Sequence, residues 1–115
     1  MNPKQIVQEI VKEKEVKSIV FVGCGASKAD LYPAKYFLDQ NAKQLRISHY
    51  TANEFNHATP ASLDETTVVI SASLGGTTPE TVEANAVAKE KGATVISLTR
   101  SVDSPLTKDA DYVIY

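Results

Sequence analysis

Thr67-Val68-Val69-Ile70-Ser71-Ala72-Ser73-Leu74-Gly75-Gly76-Thr77-Thr78-Pro79-Glu80-Thr81 contains a strand, a glycine-centred turn and a helix start in immediate succession. The first six residues make a short, largely β-branched run, as expected of a strand covered on both faces in a parallel sheet. Gly75-Gly76 lets the backbone turn sharply and approach a ligand closely. Thr78 as N-cap, Pro79 at the first helical position and Glu80 in the first turn then open a helix, with Val82 and Ala86 expected towards the core and Gly92 as its end.

A second junction of this kind lies upstream. Ser18-Ile19-Val20-Phe21-Val22 is an uninterrupted apolar strand, and Gly23-Cys24-Gly25-Ala26-Ser27 leads from it towards a helical stretch over residues 27–41. Ser27 and Asp30 resemble a capping box, whereas Pro33 favours a helix start nearer Tyr32, so the boundary stays open between the two. Before the first strand, Asn2 and Pro3 suit a helix start, and Ile6, Val7, Ile10 and Val11 form one apolar stripe opposite Lys4, Gln8, Glu9, Lys12 and Glu13. Residues 45–50 give a second strand, Thr51 with Glu54 a short capped helix through Phe55, Thr94-Val95-Ile96-Ser97-Leu98 a fourth strand and Asp111-Tyr112-Val113-Ile114-Tyr115 a fifth.

Strands alternating with helical patterns predict an α/β fold: a doubly wound, flavodoxin-like five-stranded parallel sheet in the order 2-1-3-4-5, flanked by helices and lacking a final covering helix. Strands 1 and 3 are then neighbours, and both glycine loops fall at the crevice where ligands bind such sheets. An uncovered strand 5 implies a fragment of a longer protein or cover from another copy.

The 115 residues suffice for one domain with one core. Net charge is −2 and the 12 Lys and Arg are spread along the chain, which gives no electrostatic footprint for nucleic acid. No apolar run approaches the length of a membrane span and no signal-peptide pattern opens the chain, so a cytoplasmic location is expected. A single cysteine, Cys24, excludes an internal disulfide, and His49 and His57 match no helical metal-ligand spacing.

Hydroxyl groups and glycine amides at a helix start are the means by which a loop holds phosphate. Gly25, Ser27, Ser73, Gly75, Gly76, Thr77 and Thr78 are therefore the candidate phosphate-binding residues. Ser27 serves equally as a plain N-cap, and Ser73, Thr77 and Thr78 could form a polar turn that only caps a helix. Gly23-x-Gly25-x-x-Lys28 lacks the third glycine of a dinucleotide fingerprint, and no Gly-Lys-Ser or Gly-Lys-Thr marks a P-loop. Cys24 reads as a packing residue. Glu54 is the one weak catalytic candidate, either a capping carboxylate or a group facing the ligand. No convincing acid and base pair is present.

Gly23-Cys24-Gly25-Ala26-Ser27, Tyr50-Thr51-Ala52-Asn53-Glu54-Phe55, the Ser73 to Thr81 segment, Asp103-Ser104-Pro105-Leu106 and Asp111-Tyr112 together resemble a sugar isomerase (SIS) domain, over nearly the whole chain. Within that superfamily the sequence is most similar to the first domain of the fructosamine-type deglycases. The resemblance implies that the hydroxyls of Ser27, Ser73 and Thr78 contact a sugar phosphate, that amides from Gly75 to Thr77 add donors, and that Glu54 lies near the site. It implies a second SIS domain or a homodimer supplying the catalytic glutamate and histidine, and hydrolysis of a fructosamine 6-phosphate to glucose 6-phosphate and an amine with no metal or organic cofactor. Other readings are a non-catalytic phosphosugar-sensing regulatory module and a self-associating scaffold.

Overall fold

The computed structural model describes residues 3–13, 15–23, 46–50, 52–57, 63–72, 79–99 and 103–114. In chain order they form α1 (Pro3–Glu13), β1 (Ser18–Gly23), β2 (Arg46–Tyr50), α2 (Ala52–His57), β3 (Thr67–Ala72), α3 (Pro79–Glu90), β4 (Thr94–Leu98), a 3-10 turn (Pro105–Thr107) and β5 (Tyr112–Ile114). The expected helix over 27–41 lies outside the described residues. All strand pairs are parallel, and β1 sits between β2 and β3, with β4 and then β5 beyond β3.

Because side chains alternate across a strand, the register sorts the sheet residues onto two faces. Ile19 aligns with Val68, Ile70 with Ile96, and Ile96 with Tyr112. On this face Ile6, Val7 and Ile10 of α1 pack against Ile19, Val68, Ile70, Ile96 and Leu98, with Tyr112 and Ile114 beside them. The apolar stripe read from the sequence is the buried side of α1, while Lys4, Gln8, Lys12 and Glu13 are exposed. On the opposite face Val20, Val22, Val69 and Val95 meet Phe55 of α2 and Ala84 and Ala88 of α3.

Three expectations need correction. The buried residues of α3 are Thr81, Ala84, Asn85 and Ala88, whereas Val82 is half-buried and Ala86 exposed. The helix is rotated so that small residues let it lie close to the sheet and Asn85 reaches hydroxyl groups there. Next, α2 continues past Phe55 to His57, since Asn56 has a partner across the fold. Finally, β5 begins at Tyr112: Asp111 precedes it and turns its carboxylate onto the Val95 amide.

The end of α3 shows why Gly92 is there. Ala93 N donates to Ala88 O at 3.1 Å and Gly92 N to Lys89 O at 3.0 Å, the paired bonds of a Schellman cap, and Gly92 has φ of 88°. Ala88 and Ala93, both buried, supply the accompanying apolar contact.

Candidate functional site

The C-terminal edge of the sheet brings three chain exits side by side. Val22 is in register with Tyr50, and Gly23 with Ala72. The connection after β1, the helix after β2 and the connection after β3 therefore leave from adjacent points. Strand β1 lies between the next two strands to be formed, so the connections after β1 and β3 depart in opposite directions along the sheet, the arrangement that opens a ligand crevice. Gly25, Ser27, Ser73, Gly75, Gly76, Thr77 and Thr78, together with Cys24, lie outside the described residues. The residues that anchor their segments, Gly23, Ala72 and Pro79, are described.

Glu54 is exposed on α2. A six-residue helix has too few internal bonds to stand alone, and contacts through Phe55 and Asn56 help to hold this one. Phe55 is fully buried and meets Tyr50 edge to face, with ring centroids 6.3 Å apart and planes at 64°. Asn56 Nδ2 donates to Glu80 O at 2.9 Å and approaches Glu83 Oε2 at 3.5 Å. The helix bearing Glu54 is thus pinned to the first turn of α3, where backbone N–H groups lack intrahelical acceptors and the dipole favours an anion. Thr81, in the same turn, is fully buried, and its hydroxyl has no hydrogen-bond partner among the described residues.

Beneath this edge lies a buried polar layer that the sequence reading missed. Ser71 of β3 and Ser97 of β4 are in register, with their hydroxyl oxygens 2.8 Å apart. Asn85 Nδ2 donates to Ser97 Oγ and to Leu106 O, each at 2.9 Å. All three side chains are fully buried. Serine at matching places in two central strands was the available signal, but it becomes legible only once the register is known.

Away from this edge, the Tyr112 phenol is pushed up to about 12 by burial first, then by a hydrogen bond to and the charge of Glu9, and by Glu13 and Asp111. Among the described residues no cluster of three or more His, Cys, Asp or Glu could hold a metal ion, and no helix is long and apolar enough to cross a membrane.

The SIS domain family model matches residues 13–115. The chain belongs to the SIS domain family. It is 44% identical over 103 residues to fructosamine deglycase FrlB of Bacillus subtilis (strain 168), covering 90% of this chain and 31% of that protein. It is 33% identical over 109 residues to the fructoselysine 6-phosphate deglycase of Escherichia coli (strain K12), covering 95% of this chain and 32% of the relative. A solved structure from Salmonella typhimurium LT2, named as a candidate phosphosugar isomerase, superposes with a TM-score of 0.86 at 45% identity, over 98% of this chain and 34% of that one. Glutamine--fructose-6-phosphate aminotransferases and an uncharacterized HTH-type transcriptional regulator of Haemophilus influenzae also match. This SIS domain spans about a third of the length of its deglycase relatives.

Proposed function

We propose that this SIS domain binds the phosphate of a sugar phosphate and forms part of a deglycase that hydrolyses a fructosamine 6-phosphate, such as fructoselysine 6-phosphate, to glucose 6-phosphate and an amine. The 44% identity to a fructosamine deglycase across 90% of the chain is the observation that carries this reading. Ser27, Ser73, Thr77 and Thr78 supply hydroxyl donors and Gly25, Gly75 and Gly76 allow close backbone approach, on segments that leave neighbouring strands. In the deglycase, proton transfer between the first two sugar carbons turns the ketoamine into an imine, which water hydrolyses. Glu54 stands beside the substrate, and a second SIS domain or a partner copy completes the acid and base machinery. In this reading the 115 residues are the N-terminal SIS domain of such a two-domain protein.

An amide titration by NMR tests the reading with glucose 6-phosphate, fructoselysine 6-phosphate and unphosphorylated fructoselysine. Shifts confined to residues 25–27 and 73–78, with the phosphorylated compounds only, support it. Absence of shifts at millimolar ligand, from a folded spectrum, refutes it. The match to a transcriptional regulator, 35% identical over 114 residues, favours a second reading as a phosphosugar-sensing module. Binding without release of glucose 6-phosphate by the full-length protein would select that alternative.

A further inference from the structure

Helix α3 rests on the sheet through small groups. Ala84 and Ala88 each offer a single methyl to the cluster containing Val69 and Val95, and Thr81 adds a hydroxyl without a partner among the described residues. Apolar contact of this kind is non-directional, so a helix displaced by a fraction of a turn would keep most of its burial. Asn85 supplies the direction. Its amide nitrogen has two protons, and they go to two different elements, Ser97 Oγ of β4 and Leu106 O of the 3-10 turn. A carbonyl oxygen can only accept, so Leu106 fixes which end of the amide faces it. Ser97 passes the tie to Ser71, one residue before the end of β3. In a fully buried setting each of these bonds is costly to leave unmade.

We propose that Asn85 is a positioning residue: by tying α3 to β3, β4 and the 3-10 turn, it sets where the first turn of α3 stands relative to the C-terminal end of β3. It touches no ligand and acts through the helix start. The ligand-related part of this inference rests on the phosphate-binding reading above.

The test compares Asn85→Leu, similar in bulk but without donors, with Ser97→Ala, which leaves the Leu106 bond intact, and with Ile10→Ala, a destabilising change on the opposite face of the sheet. Glucose 6-phosphate affinity is measured on each folded variant, and amide exchange is followed in the absence of ligand. Asn85→Leu is expected to weaken binding about tenfold, inside the roughly hundredfold that a 1 Å misplacement can cost. It should also accelerate exchange both in the first turn of α3 and at 104–107. Ser97→Ala should weaken binding about threefold, while Ile10→Ala lowers the melting temperature and leaves affinity within about twofold, as expected for a distant site. If Asn85→Leu does not fold, Ser97→Ala decides on affinity and on exchange in the first turn of α3 alone. Unchanged affinity in the folded Asn85→Leu or Ser97→Ala protein, or a loss matched by Ile10→Ala, overturns the inference. If the unmodified chain binds no sugar phosphate, the function reading fails. Exchange then decides the tie: acceleration at both ends sustains it, and acceleration at neither or only one overturns it.

Discussion

Replacing Asp111 separates two interactions that share one carboxylate. Oδ2 accepts the Val95 amide at 2.8 Å while Oδ1 is ion-paired with Lys89, and the Asp111 amide returns a bond to Val95 O at 2.9 Å. The β4–β5 ladder begins one step later, at Ile96 and Tyr112, so the side chain completes the pairing where β5 has not yet started. The Lys89 and Asp111 side chains are 42% and 30% exposed, so their ion pair contributes only about 0.2–1 kcal/mol. The bond from the Val95 amide to a charged acceptor is worth about 1.5–3 kcal/mol, and its loss strands a donor on a residue with no exposed surface. Asp111→Asn keeps an oxygen for that amide and should cost about 1 kcal/mol or less. Asp111→Ala should cost about 2–3 kcal/mol, and Lys89→Met no more than Asp111→Asn, by the same bond and ion-pair values. Urea unfolding followed by circular dichroism measures all three. Salt at about 1 M should erase most of the Lys89→Met deficit and little of the Asp111→Ala deficit, because screening acts on exposed charges. The reasoning fails if the asparagine variant is as damaged as the alanine variant, or if salt restores the latter.

Gly92→Ala should cost about 1–2 kcal/mol, the penalty of a left-handed backbone for a residue with a β-carbon. A Cβ there meets Glu65 N at an ordinary 3.7 Å, so no clash adds to it. Gly92→Asn should cost less, because asparagine tolerates this region; equal melting temperatures for the two variants would contradict the account. Phe55→Ala should cost about 3–5 kcal/mol, the usual result of emptying a buried aromatic site, and should release α2. Hydrogen exchange reads that release, and slow exchange retained over 52–57 would count against it. Tyr112 holds its proton in the folded chain to about pH 12, against an ordinary value of 10.0. Its contribution is therefore full below pH 10 and declines between pH 10 and 12, where the unfolded chain ionises first. Tyr112→Phe should flatten the fall of the urea midpoint across that window, and identical alkaline slopes would refute the assignment.

Much of the α/β architecture was legible because its signals are local. The limits of β3, the buried stripe of α1 and the glycine that closes α3 all follow from short-range pattern. The rotation of α3 was not, because hydropathy ranks Val82 above Asn85 and knows nothing of two serines waiting on the sheet. The length of α2 depends on Asn56 reaching Glu80, a contact between distant parts of the chain. Asp111 read as the first residue of a strand, and only the register shows that its side chain takes the place of a ladder bond. At the candidate site the sequence supplied hydroxyl-bearing and glycine-rich segments, while the structure supplied the adjacency of their anchors at Gly23 and Ala72.

The interior place of β1 has a consequence during synthesis. Ser18 pairs with Arg46 on one side and Thr67 on the other, so both neighbours of the strand are made after it. Ile6, Val7 and Ile10 likewise rest on Val68, Ile70, Ile96 and Leu98, which emerge later still. A chain leaving the ribosome N-terminus first carries an isoleucine- and valine-rich strand that lacks its second hydrogen-bonding neighbour until β3 is complete, and long-range parallel pairing is slow to close. The nascent chain is most open to aggregation and proteolysis over that interval.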